Sequence, residues 1–171
     1  MSTVEILTQK EKELVALAAS LGSGCVPCTM HHIKAVRAAG ASEVDVLSAT
    51  RIALDVRDNA TEMMAEVVQG NLNYEYPAKT QAGSLQQPID HLVAMGAALA
   101  CNSVAGLEYY LTAARTVGAS TRQIQTAMGL ARAIRKEAAE EADIRVGSPI
   151  EPTRVKVEKQ QESILPPCSC S

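Results

Sequence analysis

The sequence predicts an all-α protein made of two similar three-helix units. Of its 171 residues, 47% are hydrophobic but only 2% are aromatic, and neither Trp nor Phe occurs. A core must therefore be built from Ala, Leu, Val, Ile and Met, which suits closely packed helices better than sheets. A second observation, an internal repeat, is visible when the sequence is shifted against itself by 78 positions.

The repeat aligns the two halves of the chain without a gap. Residues 14–21 lie over residues 92–99 with five identities, and a Gly-Ala-Ser triplet at 40–42 lies over an identical triplet at 118–120. Two arginines keep the same register, Arg37 over Arg115 and Arg57 over Arg135. Two like units that stack their apolar faces would use such a repeat to build one core.

The predicted organisation is one domain over residues 1–147, followed by a mobile tail at 148–171. Within the domain, the units cover about 8–70 and 84–145. The linker between them, 70–88, is rich in Gly, Asn, Pro and Gln, which are typical of loops. The tail contains Pro residues and mixed charges, which favour an extended chain over a packed one.

Capping signals and apolar spacing place three helices in the first unit. The first begins near Thr8, which forms a Thr-x-x-Glu capping box with Glu11. The second is predicted at about 26–39, and the third follows Ser42, a favoured N-cap residue. The apolar side of the third helix is predicted to contain Val46, Leu47, Ile52, Leu54 and Val56. The second unit repeats this plan with helices at about 88–100, 103–117 and 121–144.

Charge and segment composition exclude several classes of protein. A net charge of −3 gives no electrostatic reason to expect nucleic acid or an anionic membrane as a partner. The first residues lack a secretory signal pattern, and charged residues interrupt every apolar stretch before it reaches membrane-spanning length. We therefore expect a cytoplasmic protein. Five cysteines in that compartment indicate redox or metal chemistry rather than a disulfide scaffold.

The strongest chemical signal is the Cys-x-x-Cys pair of Cys25 and Cys28, at the predicted start of the second helix. Unpaired N–H groups and the helix dipole favour negative charge there, which makes a thiolate easier to form. Residues three apart in this position can bring their sulfurs together into a disulfide. His32 lies four residues after Cys28, on the same helical face, so it can accept the Cys28 proton.

A group that orients His32 would complete a proton relay. The preceding helix offers two carboxylates, Glu11 and Glu13, and the spacing alone does not choose between them. A solvent-exposed helix position is the simplest interpretation of either residue.

The pattern Glu13-x11-Cys25-x2-Cys28-x3-His32 resembles the site signature of the AhpD-type alkylhydroperoxidases. Those proteins belong to the carboxymuconolactone decarboxylase-like superfamily. The resemblance is strong from about residue 11 to residue 62 and weak in the second unit. It favours Glu13 over Glu11 as the partner of His32.

The resemblance implies an all-helical, AhpD-like bundle that forms homo-oligomers, usually trimers or hexamers. It also implies a thiol-dependent peroxidase without a cofactor or a metal. Cys28 would attack a peroxide and become a sulfenic acid, and Cys25 would resolve it to a disulfide. His32 and Glu13 would carry protons, and a lipoyl or thioredoxin-like dithiol would reduce the disulfide. A small disulfide is an alternative substrate.

The second unit lacks this constellation. At the repeat offset, Cys25, Cys28, His32 and Glu13 are replaced by Ser103, Gly106, Tyr110 and His91. One active site per chain follows, with the second unit in a structural role.

Two other functions stay open at this stage. A lyase resembling carboxymuconolactone decarboxylase shares the expected fold, although that branch generally lacks the Cys-x-x-Cys pair. A non-catalytic module could bind a metal or metalloid through Cys25 and Cys28, but two further zinc ligands at suitable spacing are missing from the helical body.

Three residues near these signals have simpler interpretations. His31 is expected to be a packed or interface residue, because it lies about 100° around the helix from His32. His91 is expected in the first turn of its helix without a chemical role. Cys101 follows an apolar run and is expected to fill the core.

The tail ends in a second pair, Cys168 and Cys170. This pair could act as an auxiliary dithiol that reduces the Cys25–Cys28 disulfide, since about 20 flexible residues reach roughly 25 Å. It could instead bind a soft metal or metalloid, or it could be an inert terminus.

Overall fold

The protein is described by a computed structural model over residues 7–73, 76, 85 and 87–147. In these ranges it is entirely helical, which confirms the all-α prediction. The six helices are α1 Gln9–Ser23, α2 Val26–Ala38, α3 Glu43–Val68, α4 Pro88–Ala100, α5 Val104–Thr116 and α6 Thr121–Val146. Most of the predicted linker, and the tail with Cys168 and Cys170, lie outside the described residues. None of the six helices has the length and apolarity needed to cross a lipid bilayer.

Side-chain caps explain where the helices of the first unit begin. The Thr8 hydroxyl accepts the N–H of Glu11 at 3.2 Å, and the Glu11 carboxylate accepts the N–H of Thr8 at 2.7 Å. Ser42 and Asp45 form the same reciprocal pair at the start of α3. Each pair satisfies N–H groups that a helix cannot bond internally, so both predicted starts are confirmed.

The second unit reproduces the helix boundaries of the first. Both α5 and α6 begin and end 78 residues after α2 and α3. Ser120 caps α6 as Ser42 caps α3, with Gln123 in place of the acidic partner. The sequence repeat therefore corresponds to a repeat in backbone structure.

The two central helices, α1 and α4, pack against each other and are buried on almost every side. Each also contacts the long helix of the other unit, so α1 meets α6 and α4 meets α3. The contact is close because it includes glycines. A Cβ on Gly22 would lie 2.6 Å from the carbonyl oxygen of Ala97, and a Cβ on Gly96 would lie 3.0 Å from a Val15 methyl carbon.

One part of the core prediction for α3 is wrong. Leu47 and Leu54 were expected to face inward, but they are 63% and 44% exposed. The buried stripe recurs at intervals of three and four residues, through Val46, Ala49, Ala53, Val56 and Ala60. Leu47 and Leu54 fall outside that stripe because each residue advances about 100° around the helix.

Candidate active site at the start of α2

The turn between α1 and α2 presents the two cysteines. Gly24 ends α1 in a left-handed conformation (φ 72°), which glycine adopts at little cost, and Cys25 follows as the N-cap of α2. The Cys25 Sγ accepts the N–H of Cys28 at 3.2 Å. The two residues form a disulfide with their Cα atoms 5.3 Å apart. The predicted sulfur pairing at the helix start is therefore present.

The structure brings His32 and Glu13 together. His32 Nδ1 lies 2.9 Å from Glu13 Oε2, and these side chains are only 13% and 17% exposed. Gln9 Nε2 donates a hydrogen bond of 2.8 Å to the other Glu13 oxygen, so the carboxylate is held on both sides. Glu11 is instead engaged in the capping box with Thr8. Between the two carboxylates that the spacing left open, Glu13 is the one that contacts His32.

A cavity of about 450 Å³ lies beside the disulfide. Cys28 and His32 both line it, whereas Cys25 does not, although each cysteine is 8% exposed. The walls come from α2 and from α6 of the other unit: Pro27, Cys28, His31, His32, Glu137, Glu140, Glu141 and Ile144. One of the two sulfur-bearing residues thus lines the same partly open cavity as the imidazole.

The α6 wall was not predicted from the sequence. Its members, at 137, 140, 141 and 144, have the spacing of a single helical face, so a pattern was present. That pattern did not indicate which site the face would cover. Only the packing of α6 against α2 and α1 places it over Cys28.

His31 is not packed within the chain, and the alternative expectation of an interface residue stays a prediction. It is exposed and lines the cavity, and its ring meets that of His32 edge to face with centroids 4.9 Å apart. The rotation of about 100° between neighbouring helical residues still leaves His31 on the rim of the same cavity.

His91 lies in the first turn of α4, as expected, and is buried. Burial lowers its pKa, while a backbone hydrogen bond with Leu85 and the charge of Asp90 act in the opposite direction. Among the described residues its Nδ1 has no hydrogen-bond partner.

The second unit keeps the N-cap hydrogen bond, but an aromatic side chain lies at the position equivalent to the candidate site. Ser103 caps α5, and its Oγ accepts the N–H of Gly106 at 3.3 Å, as Cys25 does for Cys28. A Cβ on Gly106 would lie 3.0 Å from the Tyr76 hydroxyl oxygen, so the Tyr76 ring occupies the space. Its ring meets that of Tyr109 at a tilt and that of Tyr110 edge to face, with centroid distances of 5.6 and 5.9 Å. Tyr76 belongs to the predicted linker, and nothing in the sequence indicated this role.

The remaining described cysteine is separate from the pair. Cys101 is half-buried against the core, in agreement with its predicted packing role, and its Sγ contacts the carbonyl oxygen of Ala98 at 3.5 Å. Burial raises the pKa of its thiol. Over the described ranges, no three His, Cys, Asp or Glu side chains converge in a way that could hold a metal ion.

Comparison with known proteins gives one match. The model of the carboxymuconolactone decarboxylase family matches residues 3–68, the segment that contains α1, α2, α3 and the four predicted site residues. Neither the curated proteins nor the solved structures include a significant match to the chain. Residues 3–68, which include the Cys25–Cys28 pair, are therefore similar to the carboxymuconolactone decarboxylase family, the superfamily of the AhpD-like proteins.

Proposed function

We propose that the protein is a thiol-disulfide oxidoreductase with peroxidase activity. In this proposal Cys28 is the thiol that attacks the peroxide and Cys25 is the thiol that resolves the intermediate. The observation that carries the proposal is the shared cavity, because Cys28 and His32 line it and Cys25 does not. A substrate that enters the cavity meets the Cys28 sulfur first.

The hydrogen bond between His32 Nδ1 and the accepting Glu13 carboxylate supports the role of His32 in proton transfer. Because Nδ1 is held by the carboxylate, Nε2 is the ring nitrogen left to exchange a proton with the thiol or the substrate. The Glu13 carboxylate would also stabilise the imidazolium that forms when His32 accepts the Cys28 proton. Gln9 fixes the carboxylate in turn.

The proposed cycle consists of three balanced steps. The Cys28 thiolate attacks one peroxide oxygen, the O–O bond breaks, and the leaving alkoxide takes a proton to become an alcohol. Cys28 is then a sulfenic acid, oxidised by two electrons. The Cys25 thiol attacks that sulfur, forms the disulfide, and water leaves. An external dithiol then donates two electrons and two protons, and becomes a disulfide itself.

Trapping the intermediate tests the assignment of the two cysteines. Cys25→Ser protein treated with one equivalent of alkyl hydroperoxide should accumulate a sulfenic acid at Cys28, detectable by dimedone labelling and mass spectrometry. Cys28→Ser protein should give no dimedone adduct at Cys25. An adduct at Cys25 alone would reverse the assignment. No adduct in either variant would remove the peroxidase step.

A lyase is the second candidate, because the matching family is described by a decarboxylase. A lyase of this kind needs no dithiol. Wild-type protein and a Cys25→Ser/Cys28→Ser variant should then turn over carboxymuconolactone equally, without any added thiol. The oxidoreductase proposal instead predicts no lactone turnover by either protein, together with peroxide consumption that requires a dithiol.

We further propose that the chain works as a homo-oligomer, a trimer or a hexamer, in a reducing compartment such as the cytoplasm. Several large apolar side chains of the first unit are exposed, which suits contacts between copies. They include Val26, Met30, Leu47, Leu54 and Met64. Light scattering coupled to size-exclusion chromatography should give a mass of three or six chains, and a monomer mass would contradict the proposal.

A further inference from the structure

The wall that α6 contributes to the Cys28 cavity is acidic. Three of its four lining residues are glutamates, Glu137, Glu140 and Glu141, and the fourth is Ile144. Glu140 has a nearby cation, since its carboxylate lies 3.6 Å from Lys136 Nζ. Within the part of the chain that the structure describes, Glu137 and Glu141 have no ion-pair partner.

Few positive charges oppose these carboxylates. The opposite wall holds His31 and His32, and the His32 ring is already bonded to Glu13. Among the residues whose placement is described, no Lys or Arg lines the cavity. At neutral pH the space in front of Cys28 is therefore negative. Its concave shape strengthens the field, because part of the surrounding water is replaced by protein.

Helix stability does not account for this arrangement. Glu137 is three and four residues from Glu140 and Glu141, and like charges at those spacings repel each other. The glutamates therefore oppose the local preferences of the helix at the place where it faces the dithiol.

We propose that the cavity selects cationic organic disulfides, and the cationic thiols they yield, over anionic ones. This inference rests on the proposed oxidoreductase function and adds a substrate class to it. An ammonium group on the substrate would sit against Glu137 and Glu141 while its sulfur faces Cys28. A carboxylate in the same position would be repelled.

The exchange reaction is balanced without another reactant. The reduced Cys28 thiolate attacks one sulfur of the substrate disulfide, the substrate S–S bond breaks, and the first thiolate leaves and takes a proton. Cys25 then attacks the Cys28 sulfur of the mixed disulfide and releases the second thiol. The protein loses two electrons and becomes the Cys25–Cys28 disulfide, and one substrate disulfide becomes two thiols.

Three small disulfides of similar length but different charge test the proposal. They are cystamine, bis(2-hydroxyethyl) disulfide and 3,3′-dithiodipropionate, which are dicationic, neutral and dianionic at neutral pH. Pre-reduced protein is mixed with each, and kcat/KM is measured with dithiothreitol as the regenerating dithiol. The measured quantity is the ratio of kcat/KM for cystamine to kcat/KM for dithiodipropionate. It is divided by the ratio of the rate constants with which free dithiothreitol reduces the same two disulfides. This division removes differences in their intrinsic reactivity.

The wild-type ratio should exceed that of the free thiol by about tenfold or more, and it should fall as salt is raised because salt screens the field. Glu137→Gln/Glu141→Gln should lower the ratio about tenfold, and each single variant should lower it by less. The matched control Asp58→Asn/Glu108→Gln removes two exposed carboxylates that do not line the cavity. It should change the ratio by less than twofold.

The outcomes separate this inference from the function on which it rests. Reduction of all three disulfides with a ratio equal to that of the free thiol overturns the charge preference and leaves the oxidoreductase proposal standing. The same holds if the glutamine variants and the control shift the ratio equally. If the wild type neither reduces any of the disulfides nor consumes peroxide, both the charge preference and the oxidoreductase proposal are overturned. Circular dichroism verifies folding of the double variant, and the single variants replace it if it is unfolded.

Discussion

The two units of the chain have the same arrangement of helices but differ in the side chains at the start of α2 and α5. In the first, the N-cap of α2 is a cysteine, and in the second, the N-cap of α5 is Ser103, which accepts the same kind of hydrogen bond. The capped helices have equal length and equal spacing from the helix that follows. The cap is therefore a requirement of the helix, which sulfur or oxygen can meet. It does not by itself make a reactive site.

The difference lies in what surrounds the cap. The first unit adds a second sulfur, an imidazole and a carboxylate, and opens a cavity beside them. The second unit instead places the half-buried Tyr76 ring against Gly106, the residue equivalent to Cys28. One scaffold therefore accommodates either a disulfide beside a His32–Glu13 pair or a packed aromatic ring next to the same kind of cap.

The largest expected effect comes from the sulfur that faces the cavity. Cys28→Ser should lower peroxide turnover to background, a loss on the order of 10³-fold or more, because the reacting atom is gone. Ser103→Ala, at the capping position of the other unit, should keep turnover and cost about 1 kcal/mol of unfolding free energy. Peroxide consumption and denaturant unfolding measure the two. Comparable turnover in Cys28→Ser and wild type would contradict the proposed mechanism.

Removal of the His32 imidazole should have the second-largest effect on turnover. His32→Gln should slow the peroxide step by roughly 10²- to 10⁴-fold, the range for a general base. Tyr110→Phe, at the equivalent position of α5, should leave the rate within twofold. Stopped-flow oxidation of the reduced protein gives both rates. Equal effects of the two substitutions would mean that His32 acts only through packing.

The carboxylate should have a smaller effect. Glu13→Gln should slow the same step by about 10- to 100-fold, the range for outer partners of metal-bound imidazoles. Glu11→Gln, on the same helix but engaged in the capping box, should keep the rate within twofold. A loss of rate in Glu11→Gln as large as that in Glu13→Gln would show that the effect follows helix stability instead of the contact with His32.

The residue that replaces Glu13 in the second unit should affect stability alone. Burial lowers the pKa of His91, so below the ordinary histidine pKa of about 6.5 the unfolded chain binds a proton that the folded chain does not. The unfolding free energy that depends on a neutral, buried His91 is therefore present above that pH and is lost as the pH falls below it. His91→Leu should therefore weaken the fall in unfolding free energy between about pH 7 and pH 5. Identical pH dependence in variant and wild type would contradict this.

The smallest difference in turnover is expected between alanine variants of two arginines that occupy equivalent positions in the two units. Arg57 Nη1 donates to the carbonyl oxygen of Leu21 at 3.1 Å, and Arg135 Nη1 donates to Asn102 Oδ1 at 2.7 Å. Each alanine variant should cost about 1 kcal/mol in denaturant unfolding, the usual net value of a hydrogen bond. Only Arg57→Ala should also slow turnover, by a few fold, because its guanidinium packs on Gly24 next to Cys25. Equal turnover in both variants would remove this distinction.

Local signals in the sequence predicted most of the fold. Capping pairs such as Thr8 with Glu11 act between residues three apart, so they can be identified without knowing the tertiary structure. Helix α4 was predicted at about 88–100 by carrying the plan of the first unit across the repeat, and the structure has it at Pro88–Ala100. Leu47 and Leu54 were placed wrongly because burial depends on which neighbouring helix covers a face, and apolar character alone does not specify that.

The candidate site was likewise predictable only where local features of the sequence bring its residues together. Cys25, Cys28 and His32 lie within eight residues on one turn and one helix, so their proximity follows from helical geometry. The choice of Glu13 needed either the family resemblance or the structure, because α1 and α2 meet through tertiary packing. The α6 glutamates and Tyr76 are distant in sequence from the residues they face. Their positions depend on how the two units pack, which no local pattern encodes.

The close contact at Gly22 and Gly96 has a consequence for how the repeat can diverge. Each glycine is matched by an alanine in the other unit, Ala100 and Ala18, so both copies keep small residues where α1 and α4 touch. The side chains that differ between α2 and α5 lie away from that contact. The steric fit of α1 against α4 therefore limits which substitutions either unit can accept there. Distant relatives with an altered Cys-x-x-Cys motif should be sought through the small residues of these two central helices.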